Sequence, residues 1–297
     1  MQVSLNELSA VLKQAFEGCG FDAGRYENAT QMVLWLQSHG LEGLTLLEAS
    51  LDQFKSWSDN SFGVLEESKQ SLLFDLMGQS VLSSGALVCN LVSAQALDNE
   101  FCISYIRNGQ DHAFIAKQLI DAQRLGLHGF AYWESPTEAL ESGGIWQLYR
   151  TSTKSSNNVS TNNASTNNAS TNNDSQNQAC SLCPCLDVFN FSQLNAAKHN
   201  ATKLGADETD ALSESRYQLV LVFAKDRAQL DQILSEQSAL TNADLLASNL
   251  AANNQANYQH ALSNGIEIAT SLWDRLIALG NNVLVESSEQ SRKGAGA

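Results

Sequence analysis

Proline is nearly missing from this chain, with two residues in 297. Few glycine-rich turns make up for it, so a sandwich of many short strands is disfavoured. Basic residues are scarce as well: 17 Lys and Arg stand against 32 Asp and Glu, a net charge of −15. Nucleic-acid binding needs clustered cations to neutralise phosphates, so it is excluded as a function class. An anionic membrane surface would repel the chain for the same reason. No stretch approaches the roughly 18 consecutive apolar residues of a membrane span. The opening MQVSLNELSAVLKQAF has neither the basic start nor the unbroken apolar run of a secretory signal. The expectation from these features is a cytoplasmic protein. The six cysteines are then expected as reduced thiols, and triplets such as Asn163-Ala164-Ser165 carry no glycan. Familiar catalytic signatures are also missing. There is no G-x-S-x-G elbow, no H-E-x-x-H and no phosphate-cradling Walker loop.

What is present is enough apolar side chain, 43% of residues, to bury a sizeable core. Ser4 and Glu7 have the spacing of a capping box, in which each side chain satisfies a backbone N–H at a helix start. Leu8, Val11, Leu12, Ala15 and Phe16 follow as one apolar stripe that ends at Gly18-Cys19-Gly20. Ala29, Met32, Val33 and Leu36 predict a second helix stopping at Gly40. Leu44, Leu47, Leu51 and Phe54 predict a third. Residues 1–76 therefore read as a helical N-terminal region. Beyond it, FIAKQLIDAQRLG reads as a helix, LHGFAYWES and YQLVLVFA as strands, and KDRAQLDQILSEQ as a helix. GIEI, SLWDRLIALG and NNVLVE close the chain in strand–helix–strand order. Strands alternating with helices imply an α/β (or α+β) protein, a mixed sheet with flanking helices. Residues 77–150 would form the first half of that domain and 180–297 the second.

Residues 151–179, with the repeat STNNASTNNASTNND, have almost nothing to bury and read as a disordered surface insertion. Beside it Cys180, Cys183 and Cys185 form C-x2-C-x-C, which His199 could complete as a zinc set. No second knuckle matches it, and incidental thiols at the edge of the insertion account for it equally well. Ser38-His39-Gly40 reads as a helix terminus, where the partial negative charge favours an imidazolium and Gly40 is the stop. Asp111-His112 reads as a polar turn, and His260 as a solvated helix residue. His128 stands at a helix-to-strand junction.

The final SSEQSRKGAGA follows a segment that reads as a terminal strand, and sites in α/β proteins collect at strand ends. Arg292 offers a planar fork for a carboxylate or phosphate. Gly294 and Gly296 let backbone N–H groups approach closely, and Ser288 and Ser291 add hydroxyl donors. The expectation is a small anionic metabolite bound by this tail, with His128, Glu134 and Glu286 as acid–base candidates if the protein is an enzyme. A frayed terminus is the other reading of the tail. A non-catalytic accessory or assembly protein docking through its N-terminal helices is the other reading of function. The sequence does not identify a cofactor.

The SLNE opening, Gly18 and Gly20, Trp35-Leu36, Gly40, NGIEIATSLWDRL and the closing SEQSRKGAGA resemble an uncharacterised bacterial family known only as a domain of unknown function. The resemblance covers roughly the first 55 and last 35 residues. It implies kinship and no activity. The opening is also similar to the malate/L-lactate dehydrogenase type of NAD(P) oxidoreductase, which places a catalytic Ser-His-Gly just after comparable helices. Registering those helices puts Gly43-Leu44-Thr45 at that position instead of Ser38-His39-Gly40. The resemblance therefore implies that the catalytic histidine is absent here.

Overall fold

The computed structural model describes residues 1–54, 62–135, 145–152, 185–191, 219–238, 246–247 and 250–283. The fold is mixed α/β. Helix α1 (Leu5–Gly18) starts at the expected capping box, with the Ser4 N–H donating to Glu7 Oε2 at 2.8 Å and the Glu7 N–H to Ser4 Oγ at 3.2 Å. Asp22 caps α2 (Ala23–Ser38) by accepting from the Arg25 N–H. Helix α3 (Gly43–Phe54) follows. The apolar stripes turn inward: Leu8, Leu12, Met32, Val33, Leu36 and Leu47 are completely buried, each worth roughly 2 kcal/mol. Phe16, Phe21 and Phe54 close the end of this helical layer with ring centroids 5.2 to 6.1 Å apart.

Strand β1 is Gln2–Val3, and β2 (Gly63–Glu67) and β3 (Ser71–Asp75) form a hairpin. The helical region therefore ends before residue 62, and its last part belongs to the sheet. Helix α4 (Val81–Asn99) crosses over from β3 to its parallel neighbour β4 (Phe101–Arg107). It is long and apolar enough to cross a membrane by length and composition, but most of it is buried in the core. A 3-10 turn, His112–Phe114, leads into α5 (Ile115–Arg124). Strands β5 (His128–Ser135), β6 (Ile145–Ser152), β7 (Cys185–Phe191), β8 (Leu219–Ala224) and β9 (Leu246–Ala247) complete an eight-stranded sheet in the order β2-β3-β4-β8-β5-β6-β7-β9. Only β3 and β4 are parallel among these pairs. The predicted insertion begins too early, because Thr151 and Ser152 end β6. The Thr151 hydroxyl accepts the Gly129 N–H at 2.9 Å, supplying a bond that the strand ladder lacks at that point. Residues 153–179 lie outside the described residues.

Side-chain alternation sorts the sheet into two cores. Leu72, Phe74, Ile106, Trp133, Leu221 and Phe223 pack under α1–α5. Leu73, Tyr105, Phe130, Tyr132, Val220 and Val222 meet α6 (Arg227–Ser238) through Leu230, Ile233 and Leu234. Covered on both faces, β8 is wholly apolar, as its sequence implied. Cys89 and Cys102 are buried and form no disulfide. Burial pushes both thiols up, Cys102 to about 12, so neither supplies a thiolate.

The start of the chain meets residues 266–268. Helix α7 (Leu250–Asn264) leads to β10 (Ile266–Glu267), which pairs antiparallel with β1, and the Met1 ammonium donates to the Ile268 carbonyl at 2.7 Å. Helix α8 (Thr270–Gly280) lies on α1. The NNVLVE segment does not open as a strand: Asn281–Val283 form a 3-10 turn, the tightening by which a helix satisfies its last carbonyls. A Cβ on Gly18 would overlap the Leu279 carbonyl oxygen and sit 2.8 Å from its carbon. Gly20 has φ +91° but nothing within 4 Å of a Cβ. Gly18→Ala should therefore cost about 3 kcal/mol by forcing α8 off α1, and Gly20→Ala about 1 kcal/mol from backbone strain alone. Urea unfolding of the two variants checks the ordering, and equal losses would refute it.

Candidate functional site

The parallel strands β3 and β4 end side by side at Asp75 and Arg107. The loops that leave them are zipped together by their backbones. The Leu76 N–H donates to the Arg107 carbonyl, the Gly78 N–H to Asn108, the Gln110 N–H to Gln79 and the Val81 N–H to Gln110. Three non-glycine residues in these loops adopt left-handed conformations: Met77 (φ 51°), Asn108 (φ 52°) and Asp111 (φ 59°). Asn and Asp tolerate this region, but for Met77 it is a strain of order 1–2 kcal/mol. Asp75 organises the turn. Its Oδ1 accepts the Met77 N–H at 2.8 Å, its Oδ2 the Arg107 Nε–H at 3.0 Å, and the Asn108 amide reaches both oxygens. Burial alone would raise the Asp75 pKa. The three donors and the Arg107 charge outweigh it and hold the carboxyl below its ordinary value.

Behind this turn three polar atoms are sealed from solvent with no hydrogen-bond partner among the described residues. They are Gln79 Nε2, Asp111 Oδ2 and His112 Nε2. The other oxygen of Asp111 accepts from the Ser50 hydroxyl of α3 at 2.5 Å, which ties the loop to the helical layer. A buried polar group without a partner costs about 1–3 kcal/mol, and three of the eight such atoms among the described residues belong to this loop pair, which makes it the candidate site. Burial pulls the His112 pKa down to about 4, against a smaller opposing effect of the Gly109 backbone, so the ring is neutral at pH 7. Together the atoms offer an amide donor, a carboxylate acceptor and a neutral imidazole.

The structure places the sequence candidates unevenly. Leu219 pairs with both Ile106 and Trp133, so Glu134 stands level with Arg107, two strands away and about 10 Å from it across the sheet. His128 begins the same strand, about 20 Å from Glu134 and at the opposite end of the sheet. Burial lowers its pKa, helped by the Arg227 charge and opposed by Asp226 and Asp231. His128 and Glu134 are thus not brought together. Cys185 opens β7, whereas Cys180, Cys183, His199, Glu286, Ser288, Ser291, Arg292, Gly294 and Gly296 lie outside the described residues. No group of three or more metal-ligating side chains occurs among the described residues.

At the end of α2, His39 is stacked between Trp35 and Tyr258, with centroid distances of 4.3 and 5.3 Å. Its pKa is lowered, because burial outweighs the hydrogen bond to the Trp35 carbonyl. The expected imidazolium at this helix terminus is therefore corrected to a neutral ring. A cleft of roughly 640 Å³ opens beside it, lined by Gln37, Gly40, Asn257, His260 and Glu267 among others. Gly43-Leu44-Thr45 opens α3. A Cβ on Gly43 would lie 2.5 Å from the Val33 carbonyl oxygen, and Leu44 is buried.

Residues 3–88, from β1 into α4, match the model of a family described as Protein of unknown function (DUF3726). No curated protein sequence matches the chain. Its fold is similar to that of solved oxidoreductases over nearly the whole length. The malate dehydrogenase from Entamoeba histolytica has a TM-score of 0.60 at 9% identity, covering 97% of this chain and 99% of that one. The malate dehydrogenase from Pyrococcus horikoshii OT3 has 0.59 at 13% identity, covering 96% of each chain. The delta1-piperideine-2-carboxylate reductase from Pseudomonas syringae pvar. tomato has 0.58 at 12% identity, covering 94% and 99%. At such identities the likeness is one of fold.

The neutral state of His112 makes a test of the cluster. Its folded pKa of about 4 lies below the ordinary 6.5, so the unfolded chain takes up the proton first as pH falls. The His112 contribution is fully present above pH 6.5 and lost progressively towards pH 4, amounting to about 3 kcal/mol. Urea midpoints for wild type and His112→Gln across pH 7.5 to 4 should converge towards acid. Parallel curves would show that His112 is not held neutral.

Proposed function

We propose that this protein binds a small carboxylate metabolite between the β3–β4 loops and its C-terminal segment. The observation that carries the reading is the set of sealed, unpartnered polar atoms on Gln79, Asp111 and His112 at the ends of two parallel strands, where α/β proteins bind ligands. The fold supports it, since the neighbours are named for malate and delta1-piperideine-2-carboxylate, both small carboxylates. Within the described cluster, Arg107 is paired with Asp75. The proposed cation for the carboxylate is therefore Arg292, with Ser288, Ser291 and the N–H groups near Gly294 and Gly296 completing a clasp. Asp111 and His112 would take the hydroxyl or keto group of the same molecule.

Any turnover at this site would proceed without an imidazole at the start of α3, where Leu44 stands. His112 is then the side chain able to hold a proton, and Glu134 and Glu286 are the carboxylates to examine beside it. A cytoplasmic setting belongs to the same proposal. Docking through the N-terminal helices has less support, because α1, α2 and α3 expose no large apolar side chain among the described residues.

Thermal unfolding with L-malate, L-lactate or inorganic phosphate, with and without NADH, tests the reading. A bound carboxylate at 100-fold excess over its dissociation constant stabilises by about 2.7 kcal/mol, a rise of several degrees in Tm. Arg292→Ala should abolish that rise and leave the ligand-free Tm unchanged. A rise of equal size in Arg292→Ala, or none with any carboxylate, would overturn the proposal.

A further inference from the structure

The outer face of α4 is built unlike that of a solvent-facing helix. Leu87, Leu91, Ala94 and Leu97 recur at helical spacing and are all exposed, the leucines by 47, 39 and 40%. In 19 residues α4 carries one charged side chain, Asp98, and no Lys or Arg. A helix that met only water there would be filled with polar residues. Strand β2 lies alongside: Gln95 Nε2 of α4 donates to Glu67 Oε1 at 2.9 Å, and the Gln70 amide of the β2–β3 turn donates to the Asn99 carbonyl at 3.2 Å. This strand is the edge of the sheet, and its Val64 and Leu65 are also exposed, by 46 and 44%. Five large apolar side chains thus share one side of the molecule, more than scattered surface residues would supply.

Charge narrows what can cover this face. Glu67, bonded to Gln95 of α4, and Asp98 lie on this side, with Lys69 in the β2–β3 turn as the nearest cation in sequence, whereas Glu66 pairs with Leu73 and belongs to the other face of the sheet. Glu100 follows α4, and Lys225 is committed to it at 3.0 Å. A second copy would bring the same acidic border against itself on a chain of net charge −15. An anionic lipid surface would meet the same repulsion. An apolar ridge flanked by Lys and Arg satisfies both the leucines and the carboxylates.

We propose that the α4–β2 face docks a basic amphipathic helix of another protein, its apolar ridge on Leu87, Leu91 and Leu97 and its cations on Glu67 and Asp98. This surface stands independently of the carboxylate site. The probe is a fluorescent peptide of about 18 residues with Leu at helical spacing and Lys between, compared with Lys→Glu and Leu→Ser analogues. Fluorescence anisotropy with the full chain should show binding of the first peptide only. Leu87→Gln/Leu91→Gln should weaken it roughly tenfold or more, as should high salt. The double variant should keep the wild-type Tm and the wild-type response to carboxylates, so failure of this face and failure of the ligand site are read separately. Absence of binding, equal binding by the Leu→Ser peptide, or no effect of the double variant would overturn the proposal. So would a concentration-dependent dimer in sedimentation, or co-flotation with phosphatidylcholine/phosphatidylglycerol vesicles, that the double variant abolishes. The first of those outcomes assigns the face to a second copy and the second to a membrane.

Discussion

Helices α1 and α8 touch backbone to backbone, and the helical layer depends on that contact. With no side chain on Gly18, the Leu279 carbonyl can lie directly against α1, and a Cβ on Gly280 would stand 3.1 Å from that of Gln14, a looser approach. The effect reaches beyond the two helices. Arg275 of α8 bonds Asp52 at 3.0 Å and approaches Glu48 at 4.0 Å, both on α3. Ser50 on the same helix holds Asp111. Exposed ion pairs of this kind contribute little energy, so their role is to fix the rotation of α3 once packing has set its position. The last helix thereby reaches the loop that carries the candidate site, although residues 111 and 275 are remote in sequence.

Burial and charge compete throughout the site, and the outcome differs from residue to residue. Asp75 is desolvated, yet three donors and Arg107 keep it ionised, which lets it clamp a loop with a strained Met77. His112 is desolvated without comparable partners and stays neutral. His39 shows the same result at a helix terminus, where sequence reasoning would favour the charged form. A helix C-terminus favours a cation by about 0.3–1 kcal/mol at an exposed position, which is too little once a ring is enclosed between Trp35 and Tyr258.

How much of this was legible in the sequence follows from periodicity. Helices α1 to α3 and α5 each have one apolar face, so their 3.6-residue rhythm is visible and their boundaries follow from Ser4, Asp22 and the terminal glycines. Strand β8 is apolar throughout and short, which identified it as buried. Helix α4 is apolar nearly all round, so it lacks the contrast on which such reading relies. Strands β3 and β4 on either side of it went unassigned with it. That gap hid the site. Asp111-His112 reads as an ordinary polar turn until the strand ending at Arg107 is known, because only the parallel β3–β4 pair makes that turn a strand-end loop. Assigning FCISYIR as a strand would have been the signal. The tail of the chain was read for its chemistry, and the described residues stop at Val283, before that chemistry begins.

The all-round apolarity that hid α4 also separates its two jobs. Its inner faces give Val88, Cys89, Val92 and Ala96 to the core, and that burial is sufficient to hold the helix against the sheet. Leu87, Leu91 and Leu97 keep 39 to 47% of their surface exposed, and that part adds nothing to this packing, since burial stabilises only in proportion to the apolar area taken out of water. Polar residues at those three positions would leave the core unchanged and make the surface more soluble. Among the described residues nothing covers the exposed part of these leucines. Because the same helix starts at Ser80, next to Gln79 in the candidate site, whatever covers that face rests on the element that also supports the ligand loops.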